Sequence, residues 1–292
     1  HFNLPQQRHD LLRLVFLHRH VQLSFRVIFS HSRWTNSSRS GHDEPPAAAM
    51  PARSSARAQS SAADLFSKLI ARHHWQEVRL VHLYEVRTYS VKNASGKMLA
   101  EEAVVMQYIA PRTVTFAIRS GEGSRFIRRD VFQRLLSTEK NRVRANKDRD
   151  SLITPENYTL EIVGTDRIGS SGCLVVHAAP KRKETDLFDG KIWIDDQDFA
   201  IVKITGHLAK SPSFWIKQVD FVRDYQKIDG FWLVSREEVV SNVRIFGKEK
   251  LAIDYQDYAV NGVGAVRSLL TNVRHTSVAI RSIQLSYERT VK

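Results

Sequence analysis

The chain has 292 residues, 42% hydrophobic and 26% charged, which is typical of a globular protein with a substantial core. Its 44 Lys and Arg against 31 Asp and Glu give a net charge of +13, which favours contact with phosphates of nucleic acids or lipid headgroups. Cys173 is the only cysteine, which excludes an intramolecular disulfide and a multi-cysteine metal site. Its neighbours in GCLVVHA predict a buried strand residue.

Residues 1–61 differ in composition from the rest of the chain. The apolar run from Leu11 to Phe29 is interrupted by several Arg and His residues, so it predicts neither a membrane-spanning helix nor a signal-peptide core. The Ser-, Ala-, Arg- and Pro-rich stretch that follows predicts disorder. We therefore expect residues 1–61 to be a disordered or non-native leader, outside the functional domain.

Regular patterns begin at residue 62. Leu65, Phe66 and Leu69 recur at helical spacing and predict an amphipathic helix that ends near Trp75. Alternating apolar residues then predict strands over 78–91, 97–109 and 113–119. A second helix is predicted by apolar residues at helical spacing, which are Ile127, Val131, Phe132, Leu135 and Leu136.

Strand patterns resume at Tyr158 and continue to Tyr258, and turn residues separate them. Asp195 to Asp198 and Asp229-Gly230 lie where hairpins must reverse. Residues 62–260 therefore predict one α+β domain, built on a strongly curved antiparallel sheet (an incomplete β-barrel) with helices covering the concave face. The tail 261–292 is weakly patterned and lies outside this domain.

Three groups of residues invite a catalytic or metal-binding interpretation, and each has a simpler explanation. His73 and His74 point about 100° apart on a helix, so they do not readily share one metal. Asp195, Asp196 and Asp198 are too few for a calcium loop and suit a turn in which carboxylates accept from the backbone. Gly121-Glu122-Gly123 lacks the rest of a phosphate-binding loop. We therefore expect no metal, no cofactor and no enzymatic activity.

One strand interleaves aromatic and basic residues, which are Phe214, Trp215, Lys217, Phe221, Arg223, Tyr225 and Lys227. Bases could stack on such a surface while phosphates meet the cations, so a nucleic-acid-binding β-sheet module stays open as an alternative. However, apolar residues occupy both faces of this strand, and also of the strands around Met106, Phe116 and Trp193. That pattern favours a sheet packed on one face and covered by a helix or a ligand on the other.

The order of the C-terminal strands resembles a known family. GKIWID, a short turn, AIVKITG, an aromatic strand, an Asp-Gly turn and a closing DYQDY are similar to the C-terminal half of LolA-like outer-membrane lipoprotein-sorting proteins. The segment from Glu156 to Lys183 resembles the central part of the same family. Members often carry Leu-Pro after the Asp-Gly turn, whereas Leu233 is followed here by Val234, so the resemblance is to a divergent member.

This resemblance implies a non-catalytic periplasmic carrier or sensor that takes lipid acyl chains or a lipidated protein into an apolar cavity. Burial of each methylene contributes about 0.8 kcal/mol, so such a cavity needs no polar recognition. The candidate lining residues are Met106, Tyr108, Phe116, Ile118, Trp193, Phe214 and Ile216. Lys181, Arg182 and Lys183 are candidates for contact with a membrane surface or an envelope protein. A filled core that binds no ligand is the other alternative.

Overall fold

The computed structural model describes residues 53–145, 152–211, 216–243 and 247–262. Helix α1 spans Arg53–Arg79. The second helical segment consists of α2 (Arg125–Ile127), a π-helical turn (Arg128–Phe132) and α3 (Gln133–Ala145). The strands are β1 (His82–Lys92), β2 (Met98–Ile109), β3 (Thr113–Gly123), β4 (Tyr158–Ile168), β5 (Ser171–Pro180), β6 (Phe188–Asp195), β7 (Ile201–Leu208), β8 (Ile216–Ile228), β9 (Phe231–Val243) and β10 (Gly247–Val260).

All ten strands form one antiparallel sheet in the order β3-β2-β1-β10-β9-β8-β7-β6-β5-β4. Two meanders, β1–β3 and β4–β10, are joined by the pairing of β1 with β10. The sheet is not closed, since β3 and β4 are its two edges. The predicted α+β architecture with an open antiparallel sheet is confirmed. In the sequence, the second helical segment comes after β3 and before β4, which are the two edge strands of the sheet.

The hairpins reverse where turn chemistry predicts. Asp229 and Gly230 both have positive φ, 49° and 83°, which is the backbone that a two-residue turn between β8 and β9 requires. Between β6 and β7, Oδ1 of Asp195 accepts hydrogen bonds from the backbone N–H groups of Gln197 and Asp198 at 3.0 and 2.7 Å. The aspartates of this turn thus stabilise the local backbone.

Both helical segments pack on the same face of the sheet. Leu65, Phe66 and Leu69 of α1 join one hydrophobic cluster with inward side chains of β4 to β7, including Val176 and Ile204. The second helical segment forms another cluster over β1, β2, β9 and β10; its members include Val131, Phe132, Leu135, Tyr89, Val104, Val234 and Ile253. Since α1 lies in one cluster with four adjacent strands, the sheet curves around it.

Helix α1 extends beyond the predicted range at both ends. It begins at Arg53, inside the segment expected to be disordered, where Ala, Arg and Gln favour helix. It also continues to Arg79, so Val78 is helical although a strand is predicted there. Asn261 explains this end, because its Nδ2 donates to the Arg79 carbonyl at 2.6 Å and its Oδ1 accepts from the N–H groups of Val81 and His82. This cap comes from the far end of the domain.

Candidate ligand site between the first helix and the sheet

A cavity lies between α1 and the adjoining strands β7 to β9. Its volume is about 100 Å³. Apolar side chains predominate in its walls. The lining residues are Leu69, Ile70, Arg72, His73, Gln76, Leu152, Ile153, Thr154, Phe199, Ala200, Ile201, Tyr225 and Trp232. A volume of this size holds about three water molecules at ~30 Å³ each, well below the several hundred Å³ of a typical ligand pocket. The site is therefore small.

Helix α1 is attached over this cavity by a few polar contacts to the β8–β9 hairpin. The Gln76 side chain pairs with the backbone of Trp232, donating through Nε2 to the carbonyl at 3.0 Å and accepting at Oε1 from the N–H at 3.1 Å. Nη2 of Arg72 donates to the Gly230 carbonyl at 2.7 Å. The Trp75 and Phe231 rings lie 5.5 Å apart. The two Gln76–Trp232 hydrogen bonds are neutral at both partners, whereas the Arg72–Gly230 bond has one charged partner.

A cluster of charged side chains lies beside the cavity, in contact with its lining residues Arg72 and Trp232. Asp198 is 2.5 Å from Nζ of Lys227 and accepts a hydrogen bond from Nε1 of Trp232 at 2.9 Å. The Lys227 hydrogen bond is the main reason that the pKa of Asp198 lies below its ordinary value. Arg72 is 3.9 Å from the same carboxylate, and its buried Nε has no hydrogen-bond partner. The charged groups beside the cavity are thus two cations, Arg72 and Lys227, around one carboxylate.

The residues predicted from sequence to line a cavity do not all come together. Met106, Tyr108, Phe116 and Ile118 lie side by side on the helix-facing side of β2 and β3. Met106 and Tyr108 are fully buried in a packed cluster, whereas Ile118 is 56% exposed. None of the four lines the cavity beside α1.

Trp193 is on the opposite face of the sheet, because Ile192 and Ile194 on either side of it join the helix-facing cluster. There it packs near Cys173 and Val202 and donates through Nε1 to Asp166 at 2.9 Å. Phe214 and the side chain of Ile216 lie outside the described residues. The predicted list therefore mixes two faces of one sheet.

Strand periodicity does not indicate the residues that line the cavity. Phe199, Ala200 and Ile201 follow the Asp195–Asp198 turn, and Phe199 has a positive φ of 53°. Arg72 and Gln76 lie on the same side of α1 as the apolar Leu69, at helical spacing from it. This spacing is the one sequence signal that could have located the site.

Beneath the second helical segment the interior contains a buried ion network. Arg87 of β1 donates to Glu139 of α3 through both Nη atoms, at 2.7 and 3.1 Å, and through Nε to Glu85 at 2.5 Å. These three side chains are at most 4% exposed. The guanidinium also lies over the rings of Phe116 and Tyr255. This region is therefore filled by paired charges and aromatic rings.

A second buried pair adjoins this network. Nη2 of Arg223 donates to Oε2 of Glu237 at 3.0 Å, while Oε1 of Glu237 and Nε of Arg223 have no hydrogen-bond partner. Burial raises the pKa of Glu237 to about 7, against the attraction of Arg223 and Arg87. Burial also raises the pKa of Tyr255. Three carboxylates and two guanidinium groups thus face one another, which favours retention of a proton on one carboxyl group.

Two of the basic residues singled out in the sequence, Arg223 and Arg182, have structural contacts. Arg223 is 1% exposed and paired, so it does not contribute a cation to an exposed stacking surface. Arg182 binds Glu184, the Glu156 carbonyl and Asn157 at 2.8 to 3.1 Å, which ties the loop after β5 to the start of β4.

Within the described ranges, no group of three or more His, Cys, Asp or Glu side chains is arranged to hold a metal ion. The helices in that part of the chain include none with the length and apolar character of a membrane span. Cys173 is buried, and burial raises the pKa of its thiol.

Neither a protein-family model nor a curated protein matches the chain. Among solved structures, it is similar to a DUF1329 family protein from Desulfovibrio piger, with 14% identity, a TM-score of 0.37 and coverage of 70% of this chain and 94% of the other. A putative outer membrane lipoprotein-sorting protein domain from Vibrio parahaemolyticus has 11% identity and a TM-score of 0.33 over 71% and 98% of the two chains.

A LolA superfamily protein from Nitrosomonas europaea has 10% identity and a TM-score of 0.32 over 74% and 97% of the two chains. The similar structures thus include the family that the strand pattern resembles.

Proposed function

We propose that this chain is a non-catalytic carrier or sensor of the bacterial envelope, acting in the periplasm, that binds an acyl chain between α1 and the sheet. The observation that carries the proposal is the apolar cavity under α1, walled by Leu69, Ile153, Phe199 and Ile201. An acyl chain gains about 0.8 kcal/mol per buried methylene, so a cavity of this chemistry selects apolar chains. The strand order that resembles lipoprotein-sorting proteins supports the same class of ligand.

Ligand entry requires α1 to move, because about 100 Å³ is too small for an acyl chain. The contacts that hold α1 over the cavity suit such a movement. The Gln76–Trp232 pair and the Arg72–Gly230 bond can both be replaced by bonds to water when the helix lifts. Met106, Tyr108 and Phe116 remain proposed contacts only for a longer ligand whose entry opens the packed cluster in which they lie, a cluster that Trp75 of α1 also packs against. A lipidated envelope protein is the proposed physiological source of the acyl chain.

The proposal is tested by measuring the binding of a fluorescent fatty acid to the full chain. Ile70→Asp places a carboxylate on the cavity wall, and we expect it to weaken binding by about tenfold or more, since a charge next to an acyl chain is poorly solvated. Ile162→Asp is the matched control, because Ile162 is an exposed residue of the edge strand β4. Binding should be unchanged in this control.

Native mass spectrometry of protein purified from a bacterial envelope gives an independent measurement. We expect co-purified lipid in the wild type and its loss in Ile70→Asp. A folded wild-type protein that takes up neither endogenous lipid nor the fluorescent fatty acid would contradict the proposal and would favour the filled-core alternative.

A further inference from the structure

A second concave site lies at the β3 edge of the sheet, between β2, β3 and the start of the second helical segment. This groove is open to solvent and has a volume of about 510 Å³. Its lining residues are Glu102, Ile118, Arg125, Phe126, Arg128, Arg129 and Gln133. It shares no residue with the cavity beside α1.

The groove is basic. It contains three arginines and one carboxylate, that of Glu102, which is only 3% exposed. Gln133 donates a hydrogen bond to this carboxylate at 3.1 Å, and burial raises the pKa of Glu102. The nearby carboxylate of Asp130 is 3.1 Å from Arg129 and 3.6 Å from Arg134. The described groups around the groove therefore leave an excess of positive charge facing solvent.

Arg128 is held in place by the sheet. A Cβ atom at position 121 would lie 2.6 Å from Nη1 of Arg128, so the side chain rests on the β3 backbone where Gly121 leaves room for it. Its buried Nε has no hydrogen-bond partner. Arg128 and Arg129 open the π-helical turn, a feature that is rare in proteins and frequent at functional sites. The arginines are thus presented by an unusual local backbone.

The groove also has an apolar part. Ile118 belongs to the helix-facing side of β3, yet it is 56% exposed because the helical segment does not cover it. Phe126 lines the groove with it and packs partly against the core beneath. Apolar side chains next to three guanidinium groups match a ligand that has an anionic end and an apolar end.

We propose that this groove binds a single-chain anionic lipid, with its phosphate group on Arg125, Arg128 and Arg129 and its alkyl chain along Ile118 and Phe126. Guanidinium groups bind phosphate oxygens in a bidentate manner, which explains the use of arginine here. The alkyl chain lies on the uncovered apolar surface. This second site is independent of the acyl cavity beside α1.

The test uses dodecyl phosphate below its micelle threshold, with binding measured by isothermal titration calorimetry on the full chain carrying Ile70→Asp, so that the alkyl chain does not also enter the cavity beside α1. The double variant Arg125→Gln with Arg129→Gln should weaken binding by about tenfold or more, because two charge-assisted contacts are lost. The control is Arg112→Gln with Arg119→Gln, which removes the same charge from exposed positions outside the groove. Its affinity should stay within about twofold of that of the Ile70→Asp chain with all four arginines present.

Two further measurements distinguish the contribution of the alkyl chain from that of the anionic head. Ile118→Ser should weaken binding of dodecyl phosphate and leave the weak binding of inorganic phosphate unchanged. In the Ile70→Asp chain, where the cavity beside α1 no longer takes up an alkyl chain, dodecyl phosphate should still bind to the groove, and dodecyl maltoside, with a neutral head, should bind far more weakly. Equal affinity for the neutral detergent, equal affinity for inorganic phosphate, equal loss in the control variant, or binding only to anionic vesicles would each overturn the proposal.

Discussion

Helix α1 and the second helical segment lie on the same face of one sheet, but they are held to it by different interactions. Helix α1 packs through Leu65, Phe66 and Leu69 and is tied down by the Gln76–Trp232 pair, with a cavity beneath it. The second helical segment packs through a dense cluster and adds the buried Glu139–Arg87 ion pair.

This difference indicates which helix can open. Separation of a buried ion pair leaves two uncompensated charges away from water, whereas a neutral amide pair can exchange its partners for water. We therefore expect the sheet and the second helical segment to act as a rigid unit, and α1 to be the element that moves when a ligand enters.

The largest effect is expected at Arg87. Arg87→Ala leaves Glu85 and Glu139 buried without their common partner, so we expect the free energy of unfolding to fall by about 3–5 kcal/mol. Urea denaturation followed by circular dichroism measures this. Additional changes Glu85→Gln and Glu139→Gln in the same chain should recover part of the loss. A loss below about 1 kcal/mol would show that the network does not hold the second helical segment in place.

A smaller effect is expected at Glu237, and it depends on pH. Its pKa is raised to about 7 in the folded state, so the folded protein holds the proton more tightly than the unfolded chain does. The resulting stabilisation is fully present below the ordinary glutamate pKa and is lost as pH rises through 7. We expect a loss on the order of 2 kcal/mol between pH 5 and pH 8.

Glu237→Gln should remove most of this pH dependence, because the amide can still accept from Arg223 and carries no charge. Glu238→Gln is the control at the adjacent position, where the carboxylate faces Arg236 and Lys250 in a partly exposed pair. Denaturation curves at pH 5 and pH 8 distinguish the two variants. The same pH dependence in wild type and Glu237→Gln would assign the effect to other groups.

The smallest effect on stability is expected at α1. Gln76→Ala removes two hydrogen bonds to the Trp232 backbone, and we expect a loss of about 1 kcal/mol. The same variant should bind the fluorescent fatty acid with a higher association rate, since the helix lifts more readily. Stopped-flow fluorescence measures the rate. An unchanged rate at reduced stability would mean that ligand does not enter beneath this part of α1.

Much of the fold was predictable from the sequence because its signals are local. Alternation of apolar and polar residues marks the strands, and Asp229-Gly230 and Asp195 mark reversals through their own backbone chemistry. The apolar stripe from Leu65 to Leu69 marks the first helix. The end of that helix was not predictable, since the Asn261 side chain that caps it is 182 residues from Arg79.

The candidate sites depended more strongly on tertiary structure. A period of two is the same for both faces of a strand, so the sequence could not show that Met106 faces the helices while Trp193 faces the opposite side. Nor could it distinguish a surface arginine from Arg87, whose burial depends on Glu139, 52 residues away. By itself the sequence determined the strands, the turns and the two helices, because neighbouring residues establish them. Only the tertiary structure decided which face is covered, which charges are buried and where cavities remain, because those properties depend on partners distant in the chain.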